Sequence, residues 1–130
     1  KTISTGARKS SDDNTVILKR QLNEDLEHTL AEIRKKLELL KTTKEKYTYL
    51  KKLSKKASLM KPKTRKNFYK LLGGYAEKIG ELNLKKDHFF DAGEHYEYAA
   101  SCYQKAGLKK KTREAFEKAI DAFYKELANL

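Results

Sequence analysis

The chain has 130 residues, the length of one ordinary domain and enough to bury a single core without staples. Its one cysteine excludes an internal disulfide framework, and no apolar run approaches the roughly 20 residues that span a bilayer. The formal charge of +12 sits almost wholly in the first half, where residues 1–66 hold 19 Lys/Arg against 8 Asp/Glu while residues 67–130 hold 11 against 10.

With one proline and six glycines in a chain rich in Leu, Ala, Glu and Lys, an all-α fold of about five amphipathic helices is expected. The chain opens on Lys1 rather than methionine, so trimming or a longer parent protein is expected. Residues 1–10 are small and polar without a period and read as a flexible tail, with no apolar segment of the kind a secretory signal requires. A single helical domain should follow over 11–130, as a long hairpin at 11–60 and a further set of helices at 62–130. Ser11, Asp12 and Asp13 supply a cap and first-turn acids for helix one. Leu18, Leu22, Leu26, Leu30, Ile33, Leu37 and Leu40 then form one apolar stripe at spacings of three and four.

Thr42 and Glu45 have the spacing of a capping box, so helix two starts after a very short connection and should pack antiparallel to helix one. Helix two presents Tyr47, Leu50, Leu53, Ala57 and Met60 on one face and stops near Lys61, because Pro62 disfavours helical geometry in the residue before it. Pro62 then opens helix three, which carries Phe68, Leu72, Ala76 and Ile79, with Asn83 as its left-handed terminator. Gly73 and Gly74 stand inside helix three, and two such glycines in a row predict a close helix crossing. Helix four is expected from an Asp87 cap to Gly107, and helix five from Lys110 to Leu127.

The residues Tyr96, Ala99, Ala100, Tyr103, Ala106 and Gly107, followed by Ala115, Phe116, Ala119, Ala122, Phe123 and Tyr124, alternate large aromatics with small side chains. A weaker copy lies upstream, with Tyr69, Leu72, Gly73 and Ala76 in the motif positions and Gly80 at the turn glycine. Residues 68–128 thereby resemble tetratricopeptide-like helical repeats, in particular the vesicle-fusion adaptor branch of that superfamily. The resemblance implies stacked helical hairpins and a non-enzymatic protein-interaction role. Three features depart from the pattern: residues 81–88 are longer than the family's tight turn, no proline closes helix five, and helix one exceeds a repeat helix in length. A plain five-helix bundle remains the alternative architecture.

The window 41–70 holds 12 basic residues and one acid, Glu45. At about 100° per residue Lys44, Lys51, Lys52 and Lys55 fall opposite the apolar stripe of helix two, with Lys56 at its edge, and Lys61, Lys63, Arg65, Lys66 and Lys70 extend the positive field. Such a surface suits phosphates or an acidic protein, and its preponderance of lysine favours nonspecific phosphate attraction over base reading. A solvated, merely solubilising surface is the bland alternative. His88, Asp91 and His95 share one helix face and form a candidate metal set, although no second helix offers an obvious His or Cys to complete four ligands. No Gly-rich phosphate loop, nucleophile elbow or Cys/His pair stands at motif spacing, so neither catalysis nor a cofactor is expected. The chain reads as a cytoplasmic interaction module with a protein or peptide partner, homo-oligomerisation being open. The runner-up is a nucleic-acid-binding protein acting through the lysines of 41–70.

Overall fold

A computed structural model describes Ile17 and residues 30–130. The described residues are all-helical and contain no strand: α1 at 30–39, α2 at Thr43–Leu53, α3 at Pro62–Lys85, α4 at Phe89–Lys105 and α5 at Lys109–Ala128, with a 3-10 segment at Ser54–Leu59. The tail, the Ser11 cap and the leucines at 18, 22 and 26 lie outside them. In α1, Leu30, Ile33 and Leu37 are buried and Leu40 packs against them from the edge, as the stripe requires.

Thr42 caps α2 as expected, its Oγ1 accepting the Glu45 N–H at 3.1 Å, but the box is only half formed. The Glu45 carboxylate accepts the Thr42 hydroxyl at 3.0 Å instead of the backbone N–H of Thr42. Beyond Leu53 the helix tightens into 3-10 geometry. The Ser54 hydroxyl donates to the Lys51 carbonyl at 2.6 Å, competing for an acceptor that regular α-helix would use. The segment still delivers Ala57 and Met60 to the core before Pro62 opens α3 at its first position.

The main packing partners follow chain order, α2 on α3, α3 on α4 and α4 on α5, which is the layout of an array in which each helix leans on its neighbour. Aromatic rings seated on glycines set the spacing. Gly73 of α3 lies under the Tyr103 ring of α4 and Gly80 under Tyr96, roughly two turns along each helix, which fixes the antiparallel register of the pair. Gly93 of α4 receives Phe123 of α5 in the same manner. Gly80 is therefore a notch inside α3 and not the turn residue the sequence suggests.

The turns themselves are two copies of one device. Helix α3 runs on past Asn83 to Lys85, and Asp87, with φ 61°, is the left-handed residue. His88 N–H bonds Asn83 O at 2.9 Å and Asp87 N–H bonds Leu84 O at 3.0 Å, the paired bonds of a Schellman terminus. After α4, Gly107 (φ 75°) repeats this, with Leu108 N–H on Tyr103 O and Gly107 N–H on Gln104 O. Asp87 thus ends α3 and does not cap α4, whose N-terminus carries no side-chain cap. The connection between α3 and α4 is as short as the one between α4 and α5, so the apparent long loop at 81–88 is mostly helix.

One buried cluster joins Leu30, Ile33 and Leu37 of α1 to Tyr47 and Leu50 of α2, Phe68 and Leu72 of α3, and Ala99, Ala100 and Tyr103 of α4. A second, smaller cluster of Ala92, Tyr96, Ala119 and Ala122 closes the far end of α4 and α5, with Leu84 and Phe123 against it. No helix among the described residues is long and apolar enough to cross a membrane.

Candidate functional site

Of the predicted basic residues, Lys44, Lys51, Lys52, Lys55, Lys56, Lys63 and Lys66 are exposed and Arg65 is half-buried. They do not converge on one site. Lys44 and Lys52 border a cleft with Glu45, Thr48 and Tyr49, while Lys51 borders another with Glu94, Glu97 and His95 of α4. The Lys51 ammonium rests over Tyr47 and Tyr98 at 5.7 and 5.2 Å from the ring centroids. Carboxylates from α4 therefore face a helix whose own sequence neighbours offer one acid, and the field of α2 is less uniform than the window implies. Arg65 and Lys66 border a third cleft, of about 400 Å³, with Lys105 and Tyr69 and with no carboxylate among the described residues. The Lys105 ammonium stands 5.0 Å over the Tyr69 ring.

A concavity bordered by four cations is one the 41–70 window does not outline. Arg34 of α1, Lys70 and Lys78 of α3 and Lys111 of α5 border a cleft of about 420 Å³ with Asn67, Gly74, Tyr75 and Tyr103. Lys78 lies 4.7 Å over the Tyr75 ring and Lys111 lies 5.5 Å over Tyr103. Beside it, Glu77 accepts the Tyr103 hydroxyl on one carboxylate oxygen at 2.5 Å and the Lys118 ammonium on the other at 2.7 Å. Burial alone would raise the Glu77 carboxyl, but those two hydrogen bonds and the charges of Lys118 and Lys111 outweigh it and hold it below the usual carboxylate range.

The remaining surface of note is apolar. On α5 Phe116, Ile120, Tyr124 and Leu127 recur at helical spacing and are 39%, 52%, 67% and 63% exposed, on the side away from the buried Ala115, Ala119 and Ala122. Phe116 and Ile120 also border a cleft of about 580 Å³ with Gly107, Leu108, Thr112 and Arg113. The aromatic packing motif of the sequence includes Phe116 and Tyr124, yet of the three α5 aromatics only Phe123 is seated in a glycine notch.

His88 is exposed at the N-terminus of α4, and His95 is half-buried with its ring edge-on to Tyr47 at 5.6 Å. The His95 Nδ1 donates to the Asp91 carbonyl oxygen at 2.7 Å, and a carbonyl can only accept, so that nitrogen carries the proton and offers no lone pair. Among the described residues no three His, Cys, Asp or Glu side chains are grouped to hold a metal ion, and the His88, Asp91 and His95 set does not assemble into a centre. Cys102 is buried between α3 and α4, and burial pushes its thiol up to about 11, so it stays protonated at neutral pH.

Comparison with protein-family models, with curated proteins and with solved structures finds no match.

Proposed function

We propose that this chain is a non-enzymatic interaction module of the helical-repeat type, and that it receives an amphipathic helix of a partner protein along the outer face of α5. The row Phe116, Ile120, Tyr124 and Leu127 carries this reading. Scattered exposed apolar residues are ordinary, but four in a row along one helix make a continuous strip that is costly to leave in water. Each earlier helix of the array covers its neighbour's apolar face with another helix, and α5 is the one whose outer strip has none among the described residues. The tetratricopeptide-like kinship belongs to the same proposal. It is supported by packing in chain order, by aromatics seated on glycines and by the turn made twice with the same hydrogen bonds. So does a cytoplasmic setting, which suits a sole cysteine kept as a buried thiol.

The test is photo-cross-linking in nuclease-treated extract of the source cell. A benzophenone at position 124 should yield a discrete protein adduct, and Ile120→Glu should abolish it while changing stability by no more than about 0.5 kcal/mol. Absence of any adduct overturns the reading, and an adduct to a second copy of the chain replaces the partner by self-association.

A second reading, nucleic-acid binding through the lysines of 41–70, is favoured by the cleft of Arg65, Lys66 and Lys105, the last over Tyr69, which has no carboxylate among its described residues. Its signature is a steep log-linear loss of affinity with salt, whereas an apolar helix interface is nearly indifferent to salt.

A further inference from the structure

We propose that the cleft bordered by Arg34, Lys70, Lys78 and Lys111 binds a compact polyphosphate, a ligand carrying two or three phosphate groups close together. This goes beyond the α5 reading and does not depend on it.

Three observations carry it. First, three separate helices, α1, α3 and α5, bring four cations to one concavity with no carboxylate among the described residues of its lining. Among the described residues none of the four forms an ion pair, and like charges gathered in this way repel one another until an anion joins them. The nearby Glu77 is not a lining residue and has both oxygens occupied, by Tyr103 and by Lys118; its charge acts on Lys111 without a direct ion pair and leaves the cleft with a surplus of cations.

Second, two of the ammonium groups are positioned by aromatic faces, Lys78 by Tyr75 and Lys111 by Tyr103. A ring face holds a cation in place while leaving its charge available to a ligand, as a carboxylate partner would not.

Third, Gly74 lies in the lining, and helix packing does not require it to be glycine. A Cβ there would meet nothing nearer than the Tyr103 Oη at 3.9 Å, whereas at Gly73 it would collide with the Tyr103 ring. Glycine inside a helix weakens it relative to alanine, so the missing side chain at 74 is accounted for by the room it leaves in the cleft. The concavity, of about 420 Å³, falls in the range of small-ligand sites, and drawing its charge from three helices rather than along one suits a compact anion better than an extended strand.

Calorimetric titration of the full chain with inorganic tripolyphosphate, with orthophosphate at matched ionic strength as control, tests the proposal. Saturable one-to-one binding is expected for tripolyphosphate and binding weaker by tenfold or more for orthophosphate. Lys78→Ala with Lys111→Ala should weaken tripolyphosphate binding roughly tenfold or more, and Gly74→Ala, which keeps every charge, should weaken it measurably. Lys44→Ala with Lys52→Ala removes the same charge elsewhere and should leave it unchanged. No saturable binding, or an equal loss from the Lys44 and Lys52 pair, overturns the proposal in favour of diffuse attraction. Tighter, cleft-dependent binding of a single-stranded RNA oligomer that displaces tripolyphosphate overturns it in favour of a strand. A nucleoside triphosphate and vesicles bearing a bisphosphorylated inositol lipid separate the two sources of the phosphates. Cleft-dependent binding of either supports the proposal, and of neither overturns it.

Discussion

At Gly73 a methyl group would sit 2.9 Å from Tyr103 Cε1 and 3.2 Å from Cys102 Cβ, and the Tyr103 ring cannot retreat freely because its hydroxyl is held by Glu77. At Gly74 a methyl group has room. Two adjacent residues of one type therefore have opposite expected responses. Gly73→Ala should destabilise by about 1–2 kcal/mol, overpacking outweighing the gain in helix propensity, while Gly74→Ala should stabilise by about 0.5–1 kcal/mol. Urea midpoints of the two variants check both signs, and a shift of the same sign in each would refute the assignment of the close contact to Gly73. Cys102 supplies a second residue-scale prediction. Burial keeps its thiol protonated, so iodoacetamide at pH 8 should leave the folded chain unmodified and label it once urea unfolds it; rapid labelling of the native chain would show that the thiol is not enclosed. The sequence announced both features only in part. Two glycines in a helix signal a close crossing, but which of them is required depends on where the α4 rings land.

Between elements, Glu77 of α3 ties together α4 through Tyr103 and α5 through Lys118. Its folded-state pKa is held below the ordinary 4.5, so its stabilising contribution is complete above that value and fades as pH falls through the lowered one. Lys118 is raised above 10.5, chiefly by its hydrogen bond to Glu77, so its share is complete below that value and fades as pH rises through the raised one. Glu77→Gln should cost about 1 kcal/mol at pH 7, allowing for solvent screening at the exposed Lys118 end, and should flatten the acid limb of the stability profile. Thermal melts between pH 3 and 7 measure this, and an unaltered acid limb would show that Glu77 contributes no tie. At the turn, Gly107 has φ 75° and nothing near it, so Gly107→Ala should cost about 1 kcal/mol through the backbone alone. Helices were readable from periodicity, and Pro62, Gly107 and the limits of α5 stand within a residue of expectation. What could not be read was the choice between Asn83 and Asp87 as the left-handed residue. Both types tolerate that conformation, and the register of α3 against α4, set by Tyr96 on Gly80, decides between them.

Over the whole molecule, the charge asymmetry of the sequence translates into exposure but not into one surface. Lys51 borders one cleft with Glu94 and Glu97, which lie more than forty residues away along the chain, and no window count contains that information. The cationic cleft is hidden for the same reason, since Arg34 and Lys111 belong to different helices from Lys70 and Lys78. Part of it was visible: Asn67, Lys70, Gly74 and Lys78 follow a 3.6-residue period along α3 and form a polar stripe. The α5 strip was visible as a pattern too, but a pattern of apolar residues does not say whether chain or solvent covers it. That distinction decides the functional reading, and chemical denaturation of Ile120→Glu together with Tyr124→Glu reads it directly. If the strip is a free docking face, midpoint and slope in urea stay within error of the parent chain, a change below about 0.5 kcal/mol. A loss of several kcal/mol, the cost of placing charge in a packed interior, would contradict the account by showing that the outer face of α5 is core.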